Sequence, residues 1–224
     1  MKHPKNRIIV FANQKGGVGK STLCILAANN LHYWKRNVCI IDTDLQQSAS
    51  MQREIDKQTL GGVPPYSIQS FVISDPDIME MVMASAEEFD GYVLIDAPGN
   101  IQDDGLAVVL TRADYIVCPY EYETKSLIST QTFVGVAEQL RQLNPSMTAK
   151  LFLVPNRVDV RIGTKDEWLA WEAKESELAQ HGIVAPRVGY RMQMRRVNTY
   201  EVEYEQKHAV HETLKFIIHK VEEK

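Results

Sequence analysis

Three glycines, two lysines and two hydroxyl residues fall within ten positions, Asn13-Gln14-Lys15-Gly16-Gly17-Val18-Gly19-Lys20-Ser21-Thr22. Because Gly16, Gly17 and Gly19 carry no Cβ, successive backbone N–H groups of this turn can close around phosphate oxygens. Lys20 then supplies an ammonium to β- and γ-phosphates, and Ser21 a hydroxyl to Mg²⁺. The ordinary phosphate loop has glycine five residues before its final glycine, where this chain has Gln14 with Lys15 beside it. Two ammoniums aimed at the same oxygens would repel each other, so Lys15 is expected to reach outward. Three carboxylates complete the candidate chemistry: Asp42 and Asp44 after the run Val38–Ile41, and Asp96 after Tyr92–Ile95.

These groups need a scaffold that brings them together. Ile8–Ala12 is an apolar run suited to a buried strand, and Leu23, Leu26, Ala27, Asn30 and Leu31 recur at helical spacing to about Trp34–Asn37. The strand therefore delivers the chain to the loop, and the helix points its positive dipole end at the same oxygens. Further strands are expected at Val38–Ile41, Tyr66–Phe71, Tyr92–Ile95, Tyr115–Cys118, Lys150–Val154 and within Gly182–Pro186. Helical stretches lie at Gln46–Leu60, at Asp75–Glu88 with Asp75 as N-cap and Pro76 at the first position, at Lys125–Leu143, and at Asp166–His181. A closing helix carries the stripe Val210, Leu214, Ile217, Ile218 and Val221. Such alternation predicts an α/β fold, a mostly parallel twisted sheet with helices on both faces. The carboxyl ends of its strands, and so all three carboxylates, then share one edge.

With 224 residues and no internal boundary the chain reads as one domain spanning 1–224. Its 44% apolar and 24% charged residues are ordinary for a folded soluble protein. A net charge of −4 excludes a globally basic nucleic-acid surface, so any DNA contact must be a local patch. Cys24, Cys39 and Cys118 sit in apolar runs without Cys-x-x-Cys spacing and read as buried thiols of a reducing compartment. No apolar run approaches the ~18 residues of a membrane span, and the five-residue amino-terminal run is too short for a signal sequence.

Lys15-Gly-Gly-Val-Gly-Lys-Ser-Thr22 resembles the deviant Walker A motif of the ParA/MinD family of ATPases. The resemblance implies that Lys15 contacts the nucleotide of a partner subunit, so that ATP with Mg²⁺ bridges a homodimer. The candidate nucleotide contacts are Gly16, Gly17, Val18, Gly19, Lys20, Ser21 and Thr22, with Lys15, Lys20 and Asp44 serving hydrolysis. Asp96 resembles the Walker B aspartate that orients Mg²⁺ with Ser21. Asp42 and Asp44 resemble a second acidic motif, Asp42 holding metal-bound water and Asp44 orienting the attacking water; a capping role in a βα turn is the other reading of the pair. Asn156 stands where the family places an adenine-reading amide, although a turn role would explain it too.

Arg187, Arg191, Arg195 and Arg196 lie in a stretch with no acidic residue between 183 and 200, similar to the segment with which ParA-type proteins bind DNA non-specifically. Here Met194-Arg195-Arg196-Val197 replaces the usual Glu-Ala-Pro, and pairing with Glu201, Glu203 and Glu205 is the alternative. Nothing ahead of Asn6 offers a helix-turn-helix domain, so the chain resembles the short partition type. That type implies a cytoplasmic, nucleoid-associated switch for plasmid, chromosome or mobile-element DNA, stimulated by a centromere-binding ParB-type partner. Two other readings share the fold: a MinD-like positioning ATPase docked on membrane or protein, and a metabolic ligase of the dethiobiotin synthetase type. The mixed charges of the closing helix speak against membrane, and Lys15 against the ligase. Trp168 and Trp171 suit either an exposed partner surface or a helix with buried indoles.

Overall fold

The computed structural model describes residues 5–159, 161 and 163–223. Seven parallel strands form one sheet: β1 (Arg7–Phe11), β2 (Val38–Asp42), β3 (Ser67–Ser70), β4 (Tyr92–Asp96), β5 (Tyr115–Tyr120), β6 (Lys150–Pro155) and β7 (Ile183–Val184), in the spatial order β3-β2-β4-β1-β5-β6-β7. The helices are α1 (Lys20–Tyr33), α2 (Ser48–Leu60), α3 (Pro76–Glu88), α4 (Asp104–Arg112), α5 (Thr124–Leu143), α6 (Lys165–Leu178) and α7 (Tyr204–Glu222), with a 3₁₀ segment at Met192–Arg196.

Strand pleating divides the core in two, as it must when both faces are covered. Ile9 and Phe11 of β1 pack with α1 and α7 on one face, while Ile8 and Val10 pack with α3, α4 and α5 on the other. Asp75 caps α3, accepting from the N–H groups of Asp77 at 3.0 Å and Ile78 at 3.1 Å, and Pro76 follows at the first helical position. The stripe of α7 is core: Val210, Leu214, Ile217, Ile218 and Val221 are all buried against the sheet. No helix among the described residues is long and apolar enough to cross a membrane.

Two elements have no counterpart in the sequence reading. The nine-residue α4 has readable local signals, with Asp103 ahead of it, Asp104 in its first turn, Arg112 in its last and Leu106, Val109 and Leu110 buried on one face, whereas the 3₁₀ segment buries none of its residues and carries none. The tryptophans of α6 fit neither extreme. Both are half-buried, with Trp171 stacked on Tyr122 at 4.6 Å and 6° and Trp168 tilted against Trp171 at 5.0 Å.

Register sets the site. Phe11, Asp96 and Asp42 are successive partners across β1, β4 and β2, so the loop leaving β1 emerges beside two carboxylates at the same height.

Candidate nucleotide-binding site

The loop is anchored at its entrance by Asn13, which is buried. Its amide donates to the Pro119 carbonyl at 2.7 Å and the Thr130 hydroxyl at 3.0 Å, while its oxygen accepts from the Lys15 N–H at 3.2 Å. Gly17 and Gly19 adopt φ of +82° and +97°, left-handed values that strain any side chain. Gly19 immediately precedes α1, so the free N–H groups of the first helical turn face the loop. Ala97-Pro98-Gly99 passes against this backbone so closely that a Cβ on Gly99 would stand 3.1 Å from the Gly16 nitrogen.

The two lysines diverge. Lys20 is 6% exposed and folds back over the loop, its Nζ donating to the Lys15 carbonyl at 3.2 Å. Burial lowers its pKa, opposed by Asp96 and then Asp44. Lys15 turns the other way and pairs with Glu123, at the start of α5, at 2.5 Å.

The carboxylates converge as the shared edge requires. Asp96 is fully buried, and among the described residues neither of its oxygens has a hydrogen-bond partner of good geometry, although the Ser21 hydroxyl is close enough to favour its charged form. Burial pushes its pKa up to about 7; nearby Ser21 and Lys20 oppose the shift, and Asp42 and Asp44 add to it. Asp42 is likewise fully buried but satisfied, accepting from the N–H groups of Ser50 at 2.9 Å and Asp44 at 3.3 Å, and burial raises its pKa as well. Asp44 is half-buried and accepts from the Gln46 N–H at 2.9 Å, while Gln47, at φ +48°, occupies the cap position of α2. Asp42 therefore tethers the first turn of α2, and Asp44 shapes the turn before it.

Asn156, after β6, is 4% exposed and donates to the Val18 carbonyl at 2.7 Å, with its own oxygen accepting from the Arg157 N–H at 2.9 Å. The amide thus ties the loop down from the β6 side, and a Cβ on Gly19 would lie 2.4 Å from its nitrogen. Beside it opens a cavity lined by Gly19, Thr22, Asn156, Arg157, Tyr190 and Arg195, among others.

Residues 9–194 match the family model described as the CobQ/CobB/MinD/ParA nucleotide binding domain. The chain belongs to this family. Among curated relatives it is 31% identical to Protein IncC of Escherichia coli over 186 residues, which cover 69% of this chain and 51% of IncC. Two relatives from Pseudomonas putida are 37% identical over 91 residues, and the chain spans 32% of their length. A plasmid partition protein from Borrelia burgdorferi B31 bound to AMPPNP superposes with a TM-score of 0.73 at 18% identity, covering 96% of this chain and 99% of that one. An ATP complex of McdA from Cyanothece gives 0.77 at 16% identity, covering 99% and 98%. At these identities the two structures establish the fold.

The two unpartnered, buried oxygens of Asp96 are suited to a cation or its bound water, and Ser21 adds a hydroxyl. No cluster of three or more His, Cys, Asp or Glu side chains could cage a metal among the described residues. A cation held mainly by phosphate oxygens and water fits that donor set.

The four arginines are not a single open cluster. Arg187 is engaged inside the fold, bidentate to Glu175 at 2.8 and 3.0 Å and lying over the rings of Trp168 at 4.9 Å and Tyr122 at 5.7 Å. As a candidate phosphate contact it is displaced by this role, because its fork is filled by a carboxylate. Arg191 is exposed, 3.8 Å from Glu205, and Arg195 and Arg196 are exposed on the 3₁₀ segment. Glu201 and Glu203 make no ion pair with these arginines among the described contacts. Sequence reasoning missed Asn13, Glu123 and Ser50 as parts of the site. Asn13 stood next to the loop and could have been found, but Glu123 is 108 residues from Lys15 and had no local signal.

Proposed function

We propose that this chain is a ParA-type ATPase in which ATP bridges two copies, the dimer binds DNA non-specifically, and slow hydrolysis resets it to drive DNA segregation. The observation that carries this reading is the divergence of Lys20 and Lys15 from one loop, one ammonium buried against the loop backbone and the other turned away to the partly exposed Glu123 at the start of α5.

The backbone of Gly16–Gly19 and the N–H groups at the start of α1 bind the phosphates, and Lys20 neutralises the β and γ oxygens. The nucleoside end enters the cavity beside Thr22, Asn156 and Arg157. Ser21 and Asp96 are the residues that would hold Mg²⁺, with Asp42 placed to support it, and the ion would supply charge neutralisation for the phosphates. Asp44 orients the attacking water. Lys15 leaves Glu123 and reaches the partner's phosphates, which makes dimerisation depend on the γ-phosphate. Arg191, Arg195 and Arg196 supply salt-dependent contacts to DNA phosphates. A centromere-binding ParB-type partner accelerates the reset. The core position of the α7 stripe argues against membrane docking, and the outward lysine against a metabolic ligase.

Duplex DNA of arbitrary sequence, titrated at two salt concentrations with ATP–Mg²⁺ or ADP–Mg²⁺, tests the proposal. Salt-sensitive binding in ATP alone is expected. Failure to bind DNA in either nucleotide, or ADP production stimulated by a small carboxylate, would overturn it.

A further inference from the structure

Two charged side chains are buried away from the phosphate loop and have no part in the chemistry above. Arg53 and Asp56 of α2 are 4% and 3% exposed. Buried charges persist where their hydrogen-bonding capacity is met, and here one residue meets much of it. Arg53 donates to the Thr199 hydroxyl at 2.7 Å, the Thr199 carbonyl at 3.1 Å and the Tyr66 carbonyl at 2.6 Å. Asp56 accepts from the Thr199 N–H at 2.6 Å and from its hydroxyl at 2.8 Å. From α1, the Asn29 amide donates to the carbonyls of Asn198 at 2.8 Å and Glu201 at 2.9 Å. Residues 198–201 are thus gripped by both helices that begin at the nucleotide site: α1 follows the phosphate loop, and the first turn of α2 is bound to Asp42 through the Ser50 N–H.

Immediately before the gripped segment runs Tyr190–Arg196, which supplies Tyr190, Arg191, Met194 and Arg195 to the cavity beside Gly19 and Thr22. We infer that Arg53, Asp56 and Thr199 are positioning residues that hold this cavity wall at the distance where it closes on the nucleoside end of a nucleotide. The inference rests on the assignment of that cavity to the nucleoside under Proposed function. The clasp touches no ligand and acts through the wall, so its loss weakens recognition of the nucleoside and spares that of the phosphates.

The experiment compares binding of ADP with binding of inorganic tripolyphosphate, both with Mg²⁺, for the wild type, Thr199→Val and Thr199→Ser. Valine is nearly isosteric and removes only the hydroxyl, whereas serine retains it. Thr199→Val is expected to weaken ADP by between about twofold and thirtyfold, the range of indirect coupling through a packed network. Tripolyphosphate binding stays unchanged, and Thr199→Ser restores ADP. Equal weakening of both ligands, or of neither, would overturn the inference. Should Thr199→Val fail to fold, Arg53→Lys, which keeps the charge and loses the fork, is judged by the same contrast. A wild type that binds the two ligands equally would remove the nucleoside site itself, a failure visible before any substitution.

Discussion

Lys15 Nζ lies 2.5 Å from Glu123 Oε2 of the same chain, so the lysine proposed to serve a partner's nucleotide is held at home by a carboxylate. The pair is partly exposed, with side-chain exposures of 26% and 56%, which keeps it weak enough to exchange. Glu123→Gln removes the competing charge in both members of a dimer. The ATP-dependent dimerisation constant should tighten by roughly twofold to tenfold, since two exposed pairs need not be broken. Concentration series in analytical ultracentrifugation check this, and weaker dimerisation would instead place Glu123 in the interface.

Asp96 gives the site a pH dependence whose sign is fixed by burial. Its folded pKa of about 7 lies above the ordinary carboxylate value of 3.8, so the folded apo protein holds a proton that the unfolded chain releases. Stability of the apo protein therefore falls between about pH 4 and 7, and the full penalty is present above 7. Asp96→Asn should raise the melting point at pH 8 in the absence of nucleotide. In the wild type, Mg²⁺-dependent ADP binding should strengthen as pH rises through about 7, because a cation held at Asp96 as proposed would have to displace its proton, and Asp96→Asn should abolish that step. Calorimetric titration from pH 6 to 8 reads both effects.

Asn156→Ala leaves the buried Val18 carbonyl without its donor and should cost about 1–3 kcal/mol of stability in denaturant titration. Gly19→Ala presses on the same amide from the other side and demands a strained φ of +97°. Both should weaken ADP binding, and the double variant should lose less than the sum of the two, because they act on one contact.

The arginines should separate by role. Arg195→Ala and Arg196→Ala should each lower the salt slope of DNA binding by about 1, as expected for a lost phosphate contact. Arg187→Ala should leave the slope unchanged and lower stability by about 1 kcal/mol, through loss of the Glu175 pair and the Trp168 and Tyr122 contacts. Salt-dependent anisotropy together with thermal melting distinguishes the two behaviours.

The sheet was legible because each buried strand is a short apolar run, and the carboxylates because they end those runs; Asp42 and Asp96 are register partners. The glycine loop was legible because phosphate binding restricts residue types locally. What escaped depended on distance in sequence. Glu123 meets Lys15 across 108 residues, Arg53 meets Thr199 across 146, and Arg187 finds Glu175 on a neighbouring helix. Arg187 in particular carries the same letter as an open phosphate contact, and only the carboxylate filling its fork distinguishes the two.

Sedimentation velocity of the wild type and Lys15→Ala, each saturated with ATP–Mg²⁺ or ADP–Mg²⁺, tests the central claim most directly. The 25.5 kDa wild-type chain should double its mass in ATP alone, while Lys15→Ala binds ATP and stays monomeric. A wild type whose mass ignores the nucleotide, or a Lys15→Ala variant that dimerises as well as the wild type, would contradict the account.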